Sequence, residues 1–431
     1  MISFIKKFIV DFFLSLIFLP IFIFLSFITK QKRNKKYKPR LVFGHTPLIN
    51  NKYWSKSLQE IGFKSRTLMR TFYNINKKED FDIYFDDFNF TKIKFLDLII
   101  RPYFIFIYVL CNFDIIHISF DGGFLFNNIY LKYLEPYIYK FANIKLIVIP
   151  YGKDAYIYSR IIDQSIKHTL LINYPQNGRD EKKIKKQVEF FIQKSDFVMG
   201  GLMTLDGFSR WDILPVNFII IDEKNWRFIE NNSKNNGING FVSIVHTPNH
   251  RGCKGTEFLI QAVEDLKKEG LKIELKLLEK VSNDKVKEII QNSDILAEQF
   301  IFIGYALSAI EGMATGLPVL SNITDERYTT LFKRYSYLNE CPIVPTSPEN
   351  LKENLRKLIT NPELRHELGK KGREYVEKYH SYTTAQLMFL RIYDKIWYKK
   401  DIDLINYFHP IIGKYNEDYE KYKNHELSLT V

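Results

Sequence analysis

The sequence predicts an α/β protein: two domains of parallel βα units in series, facing a cleft, behind an N-terminal hydrophobic membrane anchor. Three observations carry this expectation. β-rich runs alternate with helical patterns along most of the 431 residues, the rhythm of parallel βα units. That rhythm stops at a polar Asn/Gly-rich tract, 231–240, and restarts beyond it. Finally, residues 12–29 carry no charge and are followed by a run of cations. A chain of this length is sufficient for two domains, each with its own core.

The anchor comes first. Residues 8–29 are apolar apart from Asp11 and a few small polar side chains. As a helix rising about 1.5 Å per residue they reach about 33 Å, enough to cross a hydrocarbon core. Pro20 is expected to kink such a helix, and Asp11 lies near its end, where a charge costs least. Lys6 and Lys7 precede the stretch; Lys30, Lys32, Arg33, Lys35, Lys36, Lys38 and Arg40 follow it. That imbalance favours a body on the cytoplasmic side of the inner membrane, with the cluster gripping anionic lipid. No small-x-small site follows the apolar run, so residues 1–40 are expected to be an uncleaved anchor, spanning or lying in the interface. The same cluster explains most of the formal charge of +13: nine Lys/Arg oppose one acid before residue 41, leaving +5 elsewhere. A diffuse nucleic-acid footprint is thereby excluded. Cys111, Cys253 and Cys341 are scattered without zinc spacing, which favours a reducing compartment.

Residues 41–230 read as an N-terminal domain. A short buried strand at 40–44 ends in a glycine turn, and 51–61 is a helix with Gly62 beyond its end. The apolar stretch 95–113 is interrupted by Asp97, Arg101 and Pro102, so it is a buried or membrane-facing helix rather than a second span. Runs 114–120 and 144–150 are strands, followed by the glycine-containing loops 121–123 and 151–154. Ligands of parallel α/β domains bind at strand ends. His45, Lys153 and Asp154 stand there, as candidates for contacts with an acceptor or a transferred sugar; turn capping is the competing role for each.

Residues 241–385 read as a C-terminal domain: strand 241–246, helix from about 256, strand 272–278, helix 283–291, strand 293–297, helix 305–314 and a short run 317–320. Two charged helices over 347–379 each open at a proline, Pro348 and Pro362. Residues 386–431 form a helical tail expected to pack back on the N-terminal domain. The loop 247–256, just after His246, holds Arg251, Gly252, Lys254, Gly255 and Thr256. Strand, loop and helix focus backbone N–H groups and a helix dipole on one point, an anion site. The glycines allow close approach, Arg251 adds a forked cation and Lys254 a compact one. Farther on, Glu311 lies on a helix after a turn at Gly304, preceded by Glu298-Gln299. A carboxylate accepts two hydroxyl hydrogens at once and suits the vicinal diol of a ribose. Together these groups predict a pocket for a phosphorylated, ribose-bearing ligand. Asp86-Asp87 reads as an exposed turn and no His/Cys cluster has metal spacing, so no divalent metal is expected.

Residues 241–320 resemble the donor-binding half of the retaining family-4 glycosyltransferases of the GT-B fold, in which two Rossmann-like domains face a cleft. The resemblance rests on Arg251-x-x-Lys254-Gly255-Thr256 and on Ile310-Glu-Gly-Met-Ala-Thr-Gly-Leu-Pro-Val319; by general rhythm it extends over 41–400. It implies that Arg251 and Lys254 hold the diphosphate of a nucleotide sugar and Glu311 its ribose, as the catalytic set. His246, Gly255, Thr256, Glu298, Gln299 and Gly304 then surround the donor. Two departures stand out. The family's Glu-x7-Glu pattern needs an acid at 303, which is Ile303; Glu298-Gln299 stands where one branch has Asp-Gln. A histidine following an amino-domain strand falls near Ser119, while His117 lies within the strand.

The expected function is therefore that of a retaining, metal-independent glycosyltransferase, hexosyl or related. It moves a sugar from a nucleoside-diphosphate sugar to a growing, lipid-linked or oligosaccharide acceptor of a cell-surface glycan (lipopolysaccharide, capsule or O-antigen type). No cofactor beyond the donor is expected. Two readings stay open beside it. Ile303 keeps alive a non-catalytic sugar-nucleotide-binding scaffold of a polysaccharide assembly complex. A GT-B nucleotide-sugar epimerase fits the fold, but its small soluble substrate gives no reason for an anchor.

Overall fold

The computed structural model describes residues 2–33, 37–73, 76–90, 94–202, 205–230 and 233–424. Lys35, Lys36, the Lys6 side chain and the first two residues of the 231–240 tract lie outside this description.

Eleven strands among these residues form two wholly parallel sheets. The first contains β1 (Leu41–His45), β2 (Ser65–Met69), β3 (Ile83–Tyr84), β4 (Ile115–Ile118), β5 (Lys145–Val148) and β6 (Phe197–Val198), in the order β3-β2-β1-β4-β5-β6. The second contains β7 (Val242–His246), β8 (Ile273–Leu277), β9 (Ile295–Gln299), β10 (Val319–Ser321) and β11 (Val344–Pro345), ordered β11-β10-β9-β7-β8. Parallel strands require crossovers that cover both faces, which is why β1, β4, β7 and β9 are buried at every position and are dominated by apolar residues. Strand order reverses between β1 and β4 and between β7 and β9, and crevices form at such switch points.

Most elements fall within two residues of expectation. Helix Ile49–Glu60 ends as Gly62, at φ +85°, donates its N–H to Gln59. β9 starts at Ile295 rather than 293, because the Asp294 carboxylate accepts from the backbone N–H and hydroxyl of Ser243 (2.8 Å each). That shift puts Glu298 and Gln299 at the strand's carboxyl end. Pro348 does not open a helix. It sits in a turn closed by Asn350 on the Ser347 N–H (2.9 Å), and the helix runs Leu351–Thr360. Pro362 does open Pro362–Tyr379, with Asn361 capping Leu364.

The domains share one continuous core. Helix Tyr382–Ile396 crosses back to the N-terminal sheet: Gln386 donates to the Ser57 carbonyl (2.8 Å), and Tyr393 bonds His117 (2.9 Å), whose ring stacks on Phe43. His380 marks the crossing. Its Nδ1–H donates to Ile219 O (2.7 Å), so its Nε2 accepts from the Tyr305 hydroxyl (3.0 Å). Burial holds the pKa of this ring down at about 4, so it is a neutral pin between the junction segment and the second domain.

The N-terminal helix, Ile2–Lys32, continues through Pro20 and lies lengthwise on the first domain. Asp11, rather than sitting exposed at the end of a span, is buried and accepts the Ile129 N–H (3.0 Å). Phe18 stacks on Tyr103 (centroids 4.4 Å) and Phe22 meets Phe106 edge to face (4.7 Å); each aromatic so buried contributes roughly 2–3 kcal/mol. Three cations of the predicted lipid-gripping cluster belong instead to the fold. Arg33 is buried against Asp114 (3.1 Å) and the carbonyls of Phe113 and Ala142. Arg40 chelates the same carboxylate, and Lys38 donates to Ile61 O. Helix Lys94–Asn112 fills the layer between the N-terminal helix and the sheet, with Tyr103, Ile105, Phe106, Val109 and Leu110 buried.

Candidate functional site

A cavity of about 320 Å³ opens between the domains at the carboxyl ends of the N-terminal strands. Thr46 follows β1, Ser119 follows β4 and Tyr151 lies just beyond β5; across the gap, the second domain contributes Asn249, Ala306 and Leu307. The loop holding Asn249 also faces the first domain. His250 meets the Tyr174 hydroxyl, and a Cβ on Gly252 would sit 2.9 Å from the Asn173 amide. The loop 247–256 thus turns toward the cleft, and its glycine lets helix Gln164–Asn173 approach.

Within the loop, Arg251–Lys254 forms one short helical turn that Gly255 ends at φ +71°, a left-handed conformation that an L side chain enters only with strain. Arg251 and Lys254 have different partners. The Arg251 guanidinium bridges Glu257 (2.7 Å) and Glu279 (3.1 Å) on the surface. Lys254 is buried, pairs with Glu298 and donates to the Gln299 amide oxygen (3.0 Å). Glu298 also accepts from Ser308 (3.3 Å) and Ser321 (2.9 Å). Gln299 donates to Gly304 O (3.0 Å), fixing the turn at φ +106° that starts the next helix. Lys254, Glu298, Gln299, Gly304 and Ser308 therefore form one connected polar network.

That network ends at helix Leu307–Thr315, which carries Glu311. Leu307 lines the cavity, and Glu311, four residues on, occupies the same helix face. Its carboxylate is half-buried and, among the described residues, accepts no hydrogen bond. Desolvation pushes its pKa up to about 8, opposed only by Lys287. Its charge reaches Tyr53 of the first domain, which puts Glu311 on the side of the helix nearer that domain, beside the cavity and not in its lining. The first amides of its helix point the same way and add positive potential.

His246 lies deeper. Its Nδ1–H donates to Ala297 O (2.7 Å) and its Nε2 accepts from Thr256 (2.8 Å), so both ring nitrogens brace β7, β9 and the following helix. Burial lowers its pKa to about 4. In the first domain His45 lies under the cavity floor, with Nε2–H donating to Gly122 O (3.0 Å) and its pKa also near 4 from burial. Asp154 is buried and accepts the N–H groups of Phe120, Tyr151 and Gly152 at 2.9–3.0 Å, the turn-capping role. Burial, then the nearby Asp121, pushes its pKa up to about 7. Lys153 is exposed beside the Tyr174 ring. Ile303 is buried.

Sequence reasoning missed the polar groups that do reach the cavity from this side. Tyr151 donates to Asp121 (2.5 Å), and Thr46 bonds Ser119 (3.1 Å). Their signal is positional, since Asp121 and Tyr151 stand in the glycine-containing loops that follow β4 and β5. Among the described residues no group of three or more His, Cys, Asp or Glu side chains could hold a metal ion.

Residues 255–375 match the family described as glycosyl transferases group 1. An uncharacterized glycosyltransferase of Methanocaldococcus jannaschii is 26% identical over 162 residues, covering 33% of this chain and 45% of that one. The chain thus spans less than half the length of this curated relative. Sucrose-phosphate synthase from Thermosynechococcus elongatus superposes with a TM-score of 0.53 at 12% identity, over 84% of this chain and 100% of that one, a likeness of fold. The chain carries a glycosyl transferases group 1 domain within an α/β architecture of the GT-B type.

Proposed function

We propose that this protein is a retaining, metal-independent glycosyltransferase of hexosyl or related type. It transfers a sugar from a nucleoside diphosphate to a growing, lipid-linked surface glycan at the cytoplasmic face of the inner membrane. The observation that carries the reading is the Glu311 carboxylate. It is half-buried, accepts no hydrogen bond among the described residues, and stands on a helix whose amino end lines the cavity. A ribose diol supplies the two hydroxyl donors such a group lacks. Lys254, held at the end of β9 by Glu298 and Gln299, supplies a cation for the diphosphate. Arg251 joins it by leaving its solvent-exposed pairs with Glu257 and Glu279, which water screens.

In the reaction the bond between the sugar's anomeric carbon and the phosphate oxygen breaks, and the diphosphate keeps the electron pair. The acceptor hydroxyl oxygen bonds that carbon and passes its proton to the departing phosphate oxygen. Lys254, Arg251 and the helix amides favour the charge most as it develops on the diphosphate, which is where stabilisation accelerates the step. Tyr151, held by Asp121, and Thr46 line the acceptor's side, and approach of the two domains excludes water.

A thermal-shift panel of UDP-, GDP-, CMP- and dTDP-sugars tests the donor, because a ligand that binds only the folded form raises its melting point. One nucleotide class should stabilise the protein, and an Arg251→Ala/Lys254→Ala variant that folds should lose glycan synthesis. A donor shift with no turnover on any acceptor extract would support the scaffold reading instead. No shift with any nucleotide sugar would refute the proposal.

A further inference from the structure

Helix Ile2–Lys32 has two unlike faces. Asp11, Ser15, Phe18, Phe22 and Ser26 recur every three to four residues and face the first domain, and Arg33 continues that docking just past the helix. The contacts begin at Lys7, which donates to Asn127 O (2.7 Å), and end at Arg33. The docked segment is thus about 39 Å long at 1.5 Å per residue, longer than a hydrocarbon core is thick. The opposite face exposes Phe13 (59%), Leu16, Ile17 and Phe24 (63%).

We infer that this helix lies in the plane of an anionic bilayer surface, exposed face inward, rather than crossing the bilayer. The inference rests on the membrane attachment proposed above. A crossing helix would have to drag its docking partners into hydrocarbon or tear away from them. Asp11, Asn128 and Arg33 would then lose their hydrogen-bond partners in a medium that cannot replace them.

The surroundings favour lipid as the occupant of the exposed face. The apolar surface continues onto Leu134, Tyr137 and Phe141 of the neighbouring segment, each more than a third exposed. Lysines surround it. The Lys30 ammonium lies 5.5 Å from the centre of the Phe141 ring and the Lys194 ammonium 5.2 Å from that of Tyr137, which puts cations at the rim of the apolar surface. At the amino end Lys183, Lys186 and Lys7 all lie close enough to Lys132 to repel its ammonium, an arrangement that anionic lipid relieves. The nearby acids Asp11, Asp97 and Glu135 are buried. One loop joins this face to the cleft, since Ser119 lines the cavity and Asn128 bonds Ser15. A lipid-carried acceptor would therefore meet the cavity from the membrane side.

The test uses the full chain in sealed membrane vesicles of both orientations. Lys7→Cys and Gln31→Cys variants are labelled with a membrane-impermeant maleimide against the wild-type background. In-plane binding predicts that both positions react from the cytoplasmic side. Reaction of position 7 only from the opposite side would overturn the inference while leaving membrane attachment intact. Flotation with vesicles of phosphatidylcholine, with and without about a third phosphatidylglycerol, gives the second readout. The wild type should prefer the anionic vesicles, and Phe13→Glu/Phe24→Glu should bind at least about tenfold more weakly with an unchanged melting curve. Unweakened binding by that variant would also overturn the inference. Failure of the wild type to float with either vesicle would instead remove the attachment on which it rests.

Discussion

Replacing Glu311 with glutamine should stabilise the ligand-free protein while weakening its hold on a donor. Burial raises the pKa of this carboxyl from 4.5 to about 8. A carboxyl whose folded pKa is raised binds more protons folded than unfolded, so its contribution to stability falls as pH rises between those two values. At about 1.4 kcal/mol per pKa unit, the ionised carboxylate costs at most about 4 kcal/mol near pH 8 and about 1 kcal/mol at pH 5. Because the group is only half-buried, solvent screening should reduce the upper figure to about 2 kcal/mol. Urea unfolding of wild type and Glu311→Gln at pH 5 and pH 8 measures the gain. The variant's advantage should grow with pH by roughly 1–3 kcal/mol. Adding a nucleoside diphosphate should reverse the order, since glutamine loses one of the two acceptors offered to the diol and binding should weaken at least about tenfold. A pH-independent difference, or equal nucleotide affinity in both proteins, would refute the assignment of this carboxylate to the cleft and to a ligand.

Three other outcomes follow from the packing. Asp114→Ala should destabilise the protein by about 3–5 kcal/mol in urea, because it strands the buried Arg33 guanidinium and loosens Arg40. Gly255→Ala should cost about 1–2 kcal/mol, since φ is +71° and Phe300 Cβ stands 3.1 Å from the added carbon; the distorted loop should also lower donor affinity by calorimetry. Lys254→Met should cost about 3–5 kcal/mol by leaving Glu298 buried and unpaired, and Lys254→Met/Glu298→Gln should recover most of it. Neither variant should bind a nucleoside diphosphate, so the cycle separates the cation's structural role from its ligand role.

The second domain was legible because β7 and β9 are dominated by apolar residues, β8 alternates apolar with charged ones, and glycines and prolines punctuate the turns. Less of the first domain could be read. β2 escaped notice because Ser65 and Thr67 are polar, yet both are buried, satisfied by Ser55 and Asp82 from outside the strand. β3, β6 and β11 have two residues each, too few to show a period. At the site, Lys254 and Glu298 were recognisable as cation and acid, but not that they neutralise each other. His45 and His246 look reactive in a sequence, and only tertiary packing reveals them as buried braces. The Asp121–Tyr151 pair joins two loops 30 residues apart, beyond any local pattern. Arg33 resembles its neighbouring cations until Asp114 is seen beneath it. The docking of the first helix was equally hidden, because its partners lie roughly a hundred residues farther along.

The central claim is that the Lys254 network and Glu311 hold one nucleoside diphosphate between them. An experimental structure of the full chain with that ligand measures it directly. The ammonium of Lys254 should lie about 3 Å from a phosphate oxygen and the Glu311 carboxylate about 3 Å from a ribose hydroxyl. A nucleotide seated elsewhere, with Glu311 untouched and Lys254 still closed on Glu298, would contradict it.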